Sequence, residues 1–248
     1  MKIAAITRVR NESHIINDVL DHVSDLPGVH GIYVYDDCST DSTANIAQHH
    51  PAVVQVIRGT TWASDPDGRN LAEGNLRTAA LRAAQKDNPE WIYCFDADEF
   101  ADFEGIDFSA DAYRLRLFDF YITPEDVHKA YEERQWMGPE YRDILMLFRN
   151  QNNINFYQRE PTIPGHYRVA QGGWVKHYGK AISVEDFEKT CDYYINYRGG
   201  SKLPQFTEKW RKRKGKAIHT QSDFGRPLIT WGERIEKGLP LSHAQAWD

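Results

Sequence analysis

Asp96-Ala97-Asp98 directly follows the apolar run Trp91-Ile92-Tyr93-Cys94-Phe95. A strand that extends through this triplet carries its two carboxylates on one side, at the carboxyl end of the run. Hard divalent cations take oxygen ligands and share them with substrate phosphates, so the pattern suits Mg2+ or Mn2+ held between a carboxylate and a diphosphate. Acidic triplets also serve in caps and turns, and this one gains meaning from a second cluster. Asp36-Asp37-Cys38-Ser39-Thr40-Asp41-Ser42-Thr43 closes another apolar run, Gly31-Ile32-Tyr33-Val34-Tyr35. Its Asp and Ser side chains suit a helix N-cap, yet a cap does not use two consecutive carboxylates. One of them can accept the imide N–H of a uracil or hydrogen bonds from a ribose. Arg69 and Arg77 are cations suited to neutralise a diphosphate, although Arg77, on a helix, serves equally as a surface charge.

Two later positions carry further chemistry. His177 sits in the Gly-flanked stretch Gly172-Gly173-Trp174-Val175-Lys176-His177-Tyr178-Gly179. A neutral imidazole there completes a metal site or simply packs at the surface or in the core, and His166 is its rival. Along 114–122, Leu115, Leu117, Asp119 and Tyr121 share one strand face, which sets Asp119 among apolar neighbours. Such a carboxylate has either a partner or a raised pKa. Asp119 is thus a candidate catalytic base or half of a buried salt bridge. Glu140, Asp143 and Glu160 are alternatives, and Glu99 is a candidate for orienting an acceptor. Phe118, Phe120, Tyr121, Tyr131, Trp136 and Tyr141 form either a sugar-stacking platform or core.

The elements that must position these residues alternate in the first half. Strands are expected over 3–9, 31–35, 52–57 and 91–95, and helices over 13–26, to about 50, and over 71–85. Asn11 or Ser13 is the N-cap candidate for the first helix, and Pro27-Gly28 ends it. This order predicts an α/β fold with a mostly parallel sheet and helices on both faces. Ligands of such sheets bind beyond the carboxyl ends of the strands, where 7–12, 36–37 and 96–99 lie. From Tyr113 onward longer, antiparallel strands are expected over 114–122 and 144–149, then a helix over 184–197. The expected organisation is one domain over 1–248. Its nucleotide-binding part covers about 1–112, its acceptor-side part about 113–200, and a basic tail region 201–248.

Composition limits the function classes. The 248 residues carry a formal charge of -6, with 41% hydrophobic and 27% charged side chains, which excludes a disordered or fibrous chain. An acidic balance argues against nucleic acid as a partner, because neutralising phosphates needs a basic field. The local exception is Lys209, Arg211, Lys212, Arg213, Lys214 and Lys216, which form a solvated face or touch an anionic surface or a phosphate-bearing acceptor. Three widely spaced cysteines argue against a disulfide framework. The amino-terminal run lacks the apolar stretch of a signal peptide, so a cytoplasmic protein is expected.

Taken in order, Thr7-Arg8-Val9-Arg10-Asn11-Glu12, the cluster at 36–43 and Phe95-Asp96-Ala97-Asp98-Glu99-Phe100 resemble three motifs of family 2-like glycosyltransferases of the GT-A fold. The third is similar to the D-x-D-E-F branch, with which His177-Tyr178, Ser183, Glu185-Asp186 and Lys189 also agree. The resemblance covers about 1–190. It implies a GT-A-like single domain with an antiparallel acceptor-side extension, a nucleotide-sugar donor, a glycan or other hydroxyl acceptor, Mn2+ or Mg2+, and inversion at the anomeric carbon. It also implies that Thr7, Arg8, Asn11 and Glu12 line the nucleoside pocket and that Asp36 or Asp37 meets the base. Asp96 would hold the ribose or reach the metal through water, Asp98 would bind metal directly, and His177 would be a late metal or diphosphate ligand. Arg10 stands where the family usually has an apolar residue or Lys. The competing classes are an Asp-x-Asp phosphotransferase or phosphatase, disfavoured because Glu99 follows the triplet, and a silent nucleotide-binding module. A dinucleotide-dependent dehydrogenase is disfavoured because no G-x-G-x-x-G follows the first strand.

Overall fold

The computed structural model describes residues 1–199, 204–236 and 242–243. Its first half alternates as β1 (Ile3–Val9), α1 (Ile16–Ser24), β2 (Val29–Asp36), α2 (Thr43–His49), β3 (Val53–Arg58), α3 (Pro66–Gln85) and β4 (Trp91–Phe95). β1 pairs in parallel with β2 and β4, and β2 in parallel with β3. β1 and β4 are therefore buried almost end to end, which is why they read as nearly continuous apolar runs.

After β4 the chain forms β5 (Glu99–Asp102), β6 (Ala112–Asp119), β7 (Trp136–Met137), β8 (Glu140–Arg149), β9 (Asn155–Phe156), β10 (Pro161–Thr162) and β11 (Val169–His177). β8 runs antiparallel to β4, and the sheet order is β3-β2-β1-β4-β8-β6-β11-β5. Then come α4 (Val184–Tyr193), a π-helical turn at Tyr194–Gly199, α5 (Pro204–Arg213), β12 (Ile229–Thr230), α6 (Trp231–Glu236) and β13 (Ser242–His243). The α/β class with a parallel first half and antiparallel strands after it is the architecture expected from the sequence.

The chain packs as two compact units. Unit 1 comprises Met1–Ser64, Gly68–Leu115 and Ile144–Trp174, and unit 2 comprises Asp65–Asp67, Arg116–Asp143 and Val175–Asp248. The first contains a core of Ala4, Ile6, Tyr33, Leu81, Ile92, Phe148 and Phe156, among others. In the second, Phe187, Cys191, Trp210 and Ala217 cluster with Tyr194 and Phe206. Trp210, inside the basic run, stacks on Tyr194 at 4.3 Å and anchors α5. Phe118, Phe120, Tyr121 and Tyr131 are buried, which favours core over a sugar platform.

Three local expectations change. α1 starts at Ile16, and its N-cap Ile15 makes no side-chain cap, because the polar residues before it bond elsewhere. α3 starts five residues earlier than expected, at Pro66, since Pro is favoured in a first helical turn and Asp67 suits the positive end of the helix. Residues 96–98 form a turn between β4 and β5 rather than a strand. The alternation nonetheless survives: Asp96 and Asp98 are half-buried while Ala97 is buried.

Candidate functional site

The first site residues lie where β1 and β2 end side by side. Val9 is in register with Asp36, so the chain leaving β1 meets the chain leaving β2. The two loops are stitched together. Asn11 N–H donates to Ser39 Oγ (3.0 Å), Glu12 N–H to Thr43 Oγ1 (2.7 Å) and Ser13 N–H to Asp41 Oδ2 (3.1 Å), while Asn11 Oδ1 accepts from Thr40 N–H (2.8 Å). Asn11 can do so because it adopts a left-handed backbone, φ 55°, a conformation that asparagine tolerates better than most residues. The side chains that the sequence offers as helix caps thus join two loops instead.

Asp37 sits in this junction, almost fully buried, between two guanidiniums. Arg8 donates to it at 2.9 Å and Arg69 also donates to it. Arg69, read from the sequence as a diphosphate cation, is completely buried as the counter-ion of Asp37. Arg10 donates to the carbonyls of Asp37 (2.6 Å) and Cys38 (2.5 Å) and lies 4.0 Å over the ring of Trp62. Trp62 carries no sequence signal for this role. Asp36 behaves differently: Oδ2 accepts from Ser39 N–H (3.3 Å), whereas Oδ1 is buried with no hydrogen-bond partner, as is Thr7 Oγ1.

The second cluster surrounds the turn after β4. Arg77 donates to Asp96 Oδ1 at 2.6 Å and lies 3.5 Å from Glu73, one turn back on α3. Arg159 reaches Asp96 (3.2 Å) and Glu99 (2.5 Å), and Glu99 Oε2 accepts from Asp96 N–H (2.8 Å). Close packing brings Arg159 here. A Cβ on Gly74 would lie 2.4 Å from the carbonyl of Phe156, so only glycine lets α3 approach the segment that leads to Arg159. Burial would raise the Asp96 carboxyl, but Arg159 and Arg77 hold it below the usual carboxylate range. Arg77 is therefore no surface cation, and Glu99, buried and bonded within the cluster, is not placed to orient an acceptor. Glu160 pairs with Arg114 at 2.9 and 2.8 Å.

Between the two clusters stands a carboxyl with too little positive charge. Burial first, then the negative charges of Asp98, Asp96 and Asp41, against the pull of Arg8, push Glu12 up to about 8. Its side chain keeps 32% of its accessible surface, so solvent tempers the burial effect and the like charges weigh more. Carboxylate oxygens are the donors a hard divalent cation takes. Among the described residues no three His, Cys, Asp or Glu side chains form a ready-made metal cage.

Unit 2 holds a separate charged network. Asp119 accepts from Arg142 (2.7 Å) and Lys180 (3.2 Å), and its Oδ1 lies 2.5 Å from His177 Nδ1. Lys180 and Arg213 each lie 2.5 Å from Asp223. Burial works against ionisation of Asp119, but Arg142, Lys180 and His177 hold its carboxyl well below the usual range. Of the two alternatives open to Asp119, a partner or a raised pKa, the first holds. A carboxylate so strongly favoured as the anion takes up a proton poorly, which counts against Asp119 as general base. His177, expected as a metal or diphosphate ligand, bonds Asp119 through Nδ1. Glu140 is buried and accepts from Ser222 Oγ at 3.0 Å.

Residues 5–107 match the family model described as glycosyl transferase family 2. This stretch is a family 2 glycosyltransferase domain. It contains Arg8, Glu12, Asp37, Arg69, Arg77, Asp96 and Asp98, while Arg159 lies outside it. The glycosyltransferase domain belongs to a chain similar to the uncharacterized proteins Rv3786c of Mycobacterium tuberculosis and Mb3815c of Mycobacterium bovis. Each is 31% identical over 233 residues, covering 79% of this chain and 53% of the relative. The chain spans about half the length of the curated relatives it matches. Among solved structures, S. aureus TarS 1-349 in complex with UDP is 14% identical, with a TM-score of 0.44, over 86% of this chain and 71% of that one. The mannosyltransferase PcManGT from Pyrobaculum calidifontis, in complex with GDP-Man and Mn2+, is 14% identical, with a TM-score of 0.41, over 86% and 69%. Both likenesses are distant. No helix among the described residues is long and apolar enough to cross a membrane.

Proposed function

We propose that the chain transfers a sugar from a UDP- or GDP-linked donor to a hydroxyl of a glycan or other acceptor, with inversion at the anomeric carbon and with Mn2+ or Mg2+. The observation that carries this reading is the meeting, in unit 1, of Arg8 and Glu12, Asp36 and Asp37, and Asp96 and Asp98 beyond the carboxyl ends of three adjacent parallel strands. That is the crevice in which sheets of this kind bind ligands. The free thiols Cys38, Cys94 and Cys191 are in keeping with a cytoplasmic site of action.

In this reading Asp98, with Glu12 beside it, holds the cation, which supplies charge stabilisation to the departing nucleoside diphosphate. Asp36 Oδ1, buried and unpartnered, supports acceptance of a base N–H or a ribose hydroxyl. Asn11 shapes the adjoining loop. Arg8, shared between Asp37 and the neighbourhood of Asp96, ties the nucleoside end of the crevice to its diphosphate end. Arg69, Arg77 and Arg159 act from behind by fixing the Asp37, Asp96 and Glu99 carboxylates. Asp119 is a positioning residue of the acceptor-side part: it holds His177 through Nδ1. The basic stretch 209–216 supports a contact with an anionic group.

Calorimetric titration of UDP and GDP, with and without Mn2+, tests the core of the proposal. Binding should strengthen with Mn2+, and Asp98→Ala should abolish that gain. A screen of nucleotide sugars for slow hydrolysis then identifies the donor. Nucleotide binding indifferent to both the metal and Asp98 would sink the reading.

A further inference from the structure

Strand alternation sends neighbouring side chains at the end of β11 to opposite faces. His177 lies with Asp119, whereas Lys176, one residue earlier, lies with Phe120 on the other side; Phe120 N–H donates to the His177 carbonyl at 2.9 Å. The Lys176 ammonium stands 5.9 Å from the centre of the Phe120 ring and 5.0 Å from that of Trp231, at the start of α6. Trp231 packs on Phe118 and Phe120, each with its ring centre 5.7 Å away, and the Arg234 guanidinium lies 4.0 Å over it. All of these residues belong to unit 2.

Lys176 has no counter-ion: among the described residues it makes neither an ion pair nor a hydrogen bond. The charge that acts on it is that of Arg234, which has the same sign. Burial first, and then Arg234, hold its ammonium below the usual lysine range. Lys180 makes the contrast, because it is buried against two carboxylates, Asp119 and Asp223. A lysine that only covers apolar surface lays its stem on the rings and keeps its head in water. Here burial reaches the head itself. Attraction to the ring faces offsets part of the cost, but a partly desolvated ammonium beside a second cation still wants a negative partner. An aromatic surround with one placed charge is the make-up of a small-molecule site, and the sign of that charge calls for an anion.

We propose that Lys176 binds an anionic group of the acceptor, the phosphate or carboxylate of an acidic sugar, with its ammonium donating to the anion beside Phe120 and Trp231. The acceptor role rests on the sugar-transfer reading above, whereas the anion site stands on unit 2 alone. The full chain is titrated by calorimetry with glucose 6-phosphate, glucuronate and glucose, and separately with UDP and Mn2+. Saturable binding of glucose 6-phosphate assigns a phosphate and that of glucuronate a carboxylate; either supports the site. Neutral glucose should bind about tenfold more weakly or not at all. Lys176→Gln should remove this preference, Lys176→Arg should keep it, and Lys129→Gln, at an exposed position of the same unit, should leave it unchanged. The affinity for UDP with Mn2+ should be the same in all of them. Lys176→Met retains the apolar stem without the unpaired charge; it keeps the test valid if Lys176→Gln unfolds and should likewise lose the preference. No binding of either acidic sugar, or a preference that survives both Lys176→Gln and Lys176→Met, overturns the proposal. Nucleotide binding indifferent to Mn2+, with acidic-sugar binding intact, overturns the acceptor role and supports the anion site.

Discussion

The two units each contain a knot of acidic and basic side chains, and the knots are balanced in opposite senses. In unit 1, Arg8, Arg69, Arg77 and Arg159 bind Asp37, Asp96 and Glu99, while the charges of Asp98 and Asp96 push Glu12 up. In unit 2, Asp119 and Asp223 are enclosed by Arg142, Lys180 and Arg213, which hold both carboxyls below the usual range. Removing an acid should therefore do different things in the two places. Near Glu12 it relieves repulsion; around Asp119 it strands a buried cation. On the reading proposed above the first knot takes up a cation, whereas the second is closed on itself.

The largest expected effect tests whether the paired part of unit 1 is structural. Arg69→Ala leaves Asp37 buried without its full complement of partners and should cost about 3–5 kcal/mol in urea unfolding. A loss under about 1 kcal/mol would show that Asp37 is solvated and the pairing incidental. Next in size, Asp119→Asn should destabilise by about 1–3 kcal/mol, because Lys180 and Arg142 lose a charged acceptor. It should lower turnover while donor affinity holds, since Asp119 acts through His177. Asp98→Ala should reverse that pattern, with the unfolding midpoint of the metal-free protein unchanged or raised and metal-assisted nucleotide binding lost. If Asp98→Ala destabilises as much as Asp119→Asn, the contrast between the knots fails.

pH sharpens the same contrast. Asp119 and Asp223 are depressed in the folded state, so their stabilisation is complete above the ordinary carboxylate range, about pH 4, and is lost as pH falls through their lower folded values. Glu12 is raised from 4.5 to about 8. Between those values the folded chain holds a proton that the unfolded chain has released, so its contribution to stability declines as pH rises. Glu12→Gln should flatten the fall in unfolding midpoint between those values and leave the acid limb below about pH 4 in place. The smallest effect belongs to the exposed Lys189–Glu185 pair on α4, 2.8 Å apart. Glu185→Ala should change stability by about 0.5 kcal/mol or less in the same assay.

Much of unit 1 was legible because its signals are local. Apolar runs ending in polar bursts marked β1, β2 and β4, and a parallel sheet necessarily sets such ends side by side. The roles of Arg69 and Arg77 were not legible, because a cation near an acidic motif reads as a ligand for substrate until its distance to the carboxylate is known. Arg159 carried no signal at all. It lies sixty-three positions from Asp96 and arrives only because Gly74 permits close packing of α3. Asp119 was found by strand alternation, yet alternation cannot say whether a half-buried carboxylate is charged.

The sequence alone determined the order of the elements, the α/β class and the positions of the acidic clusters, since each depends on periodicity or on neighbours within a few residues. Only the tertiary structure decided which charges are neutralised and which are left wanting a partner. That balance depends on contacts among residues tens of positions apart, and an electrostatic energy that varies with distance and burial cannot be read from spacing along the chain.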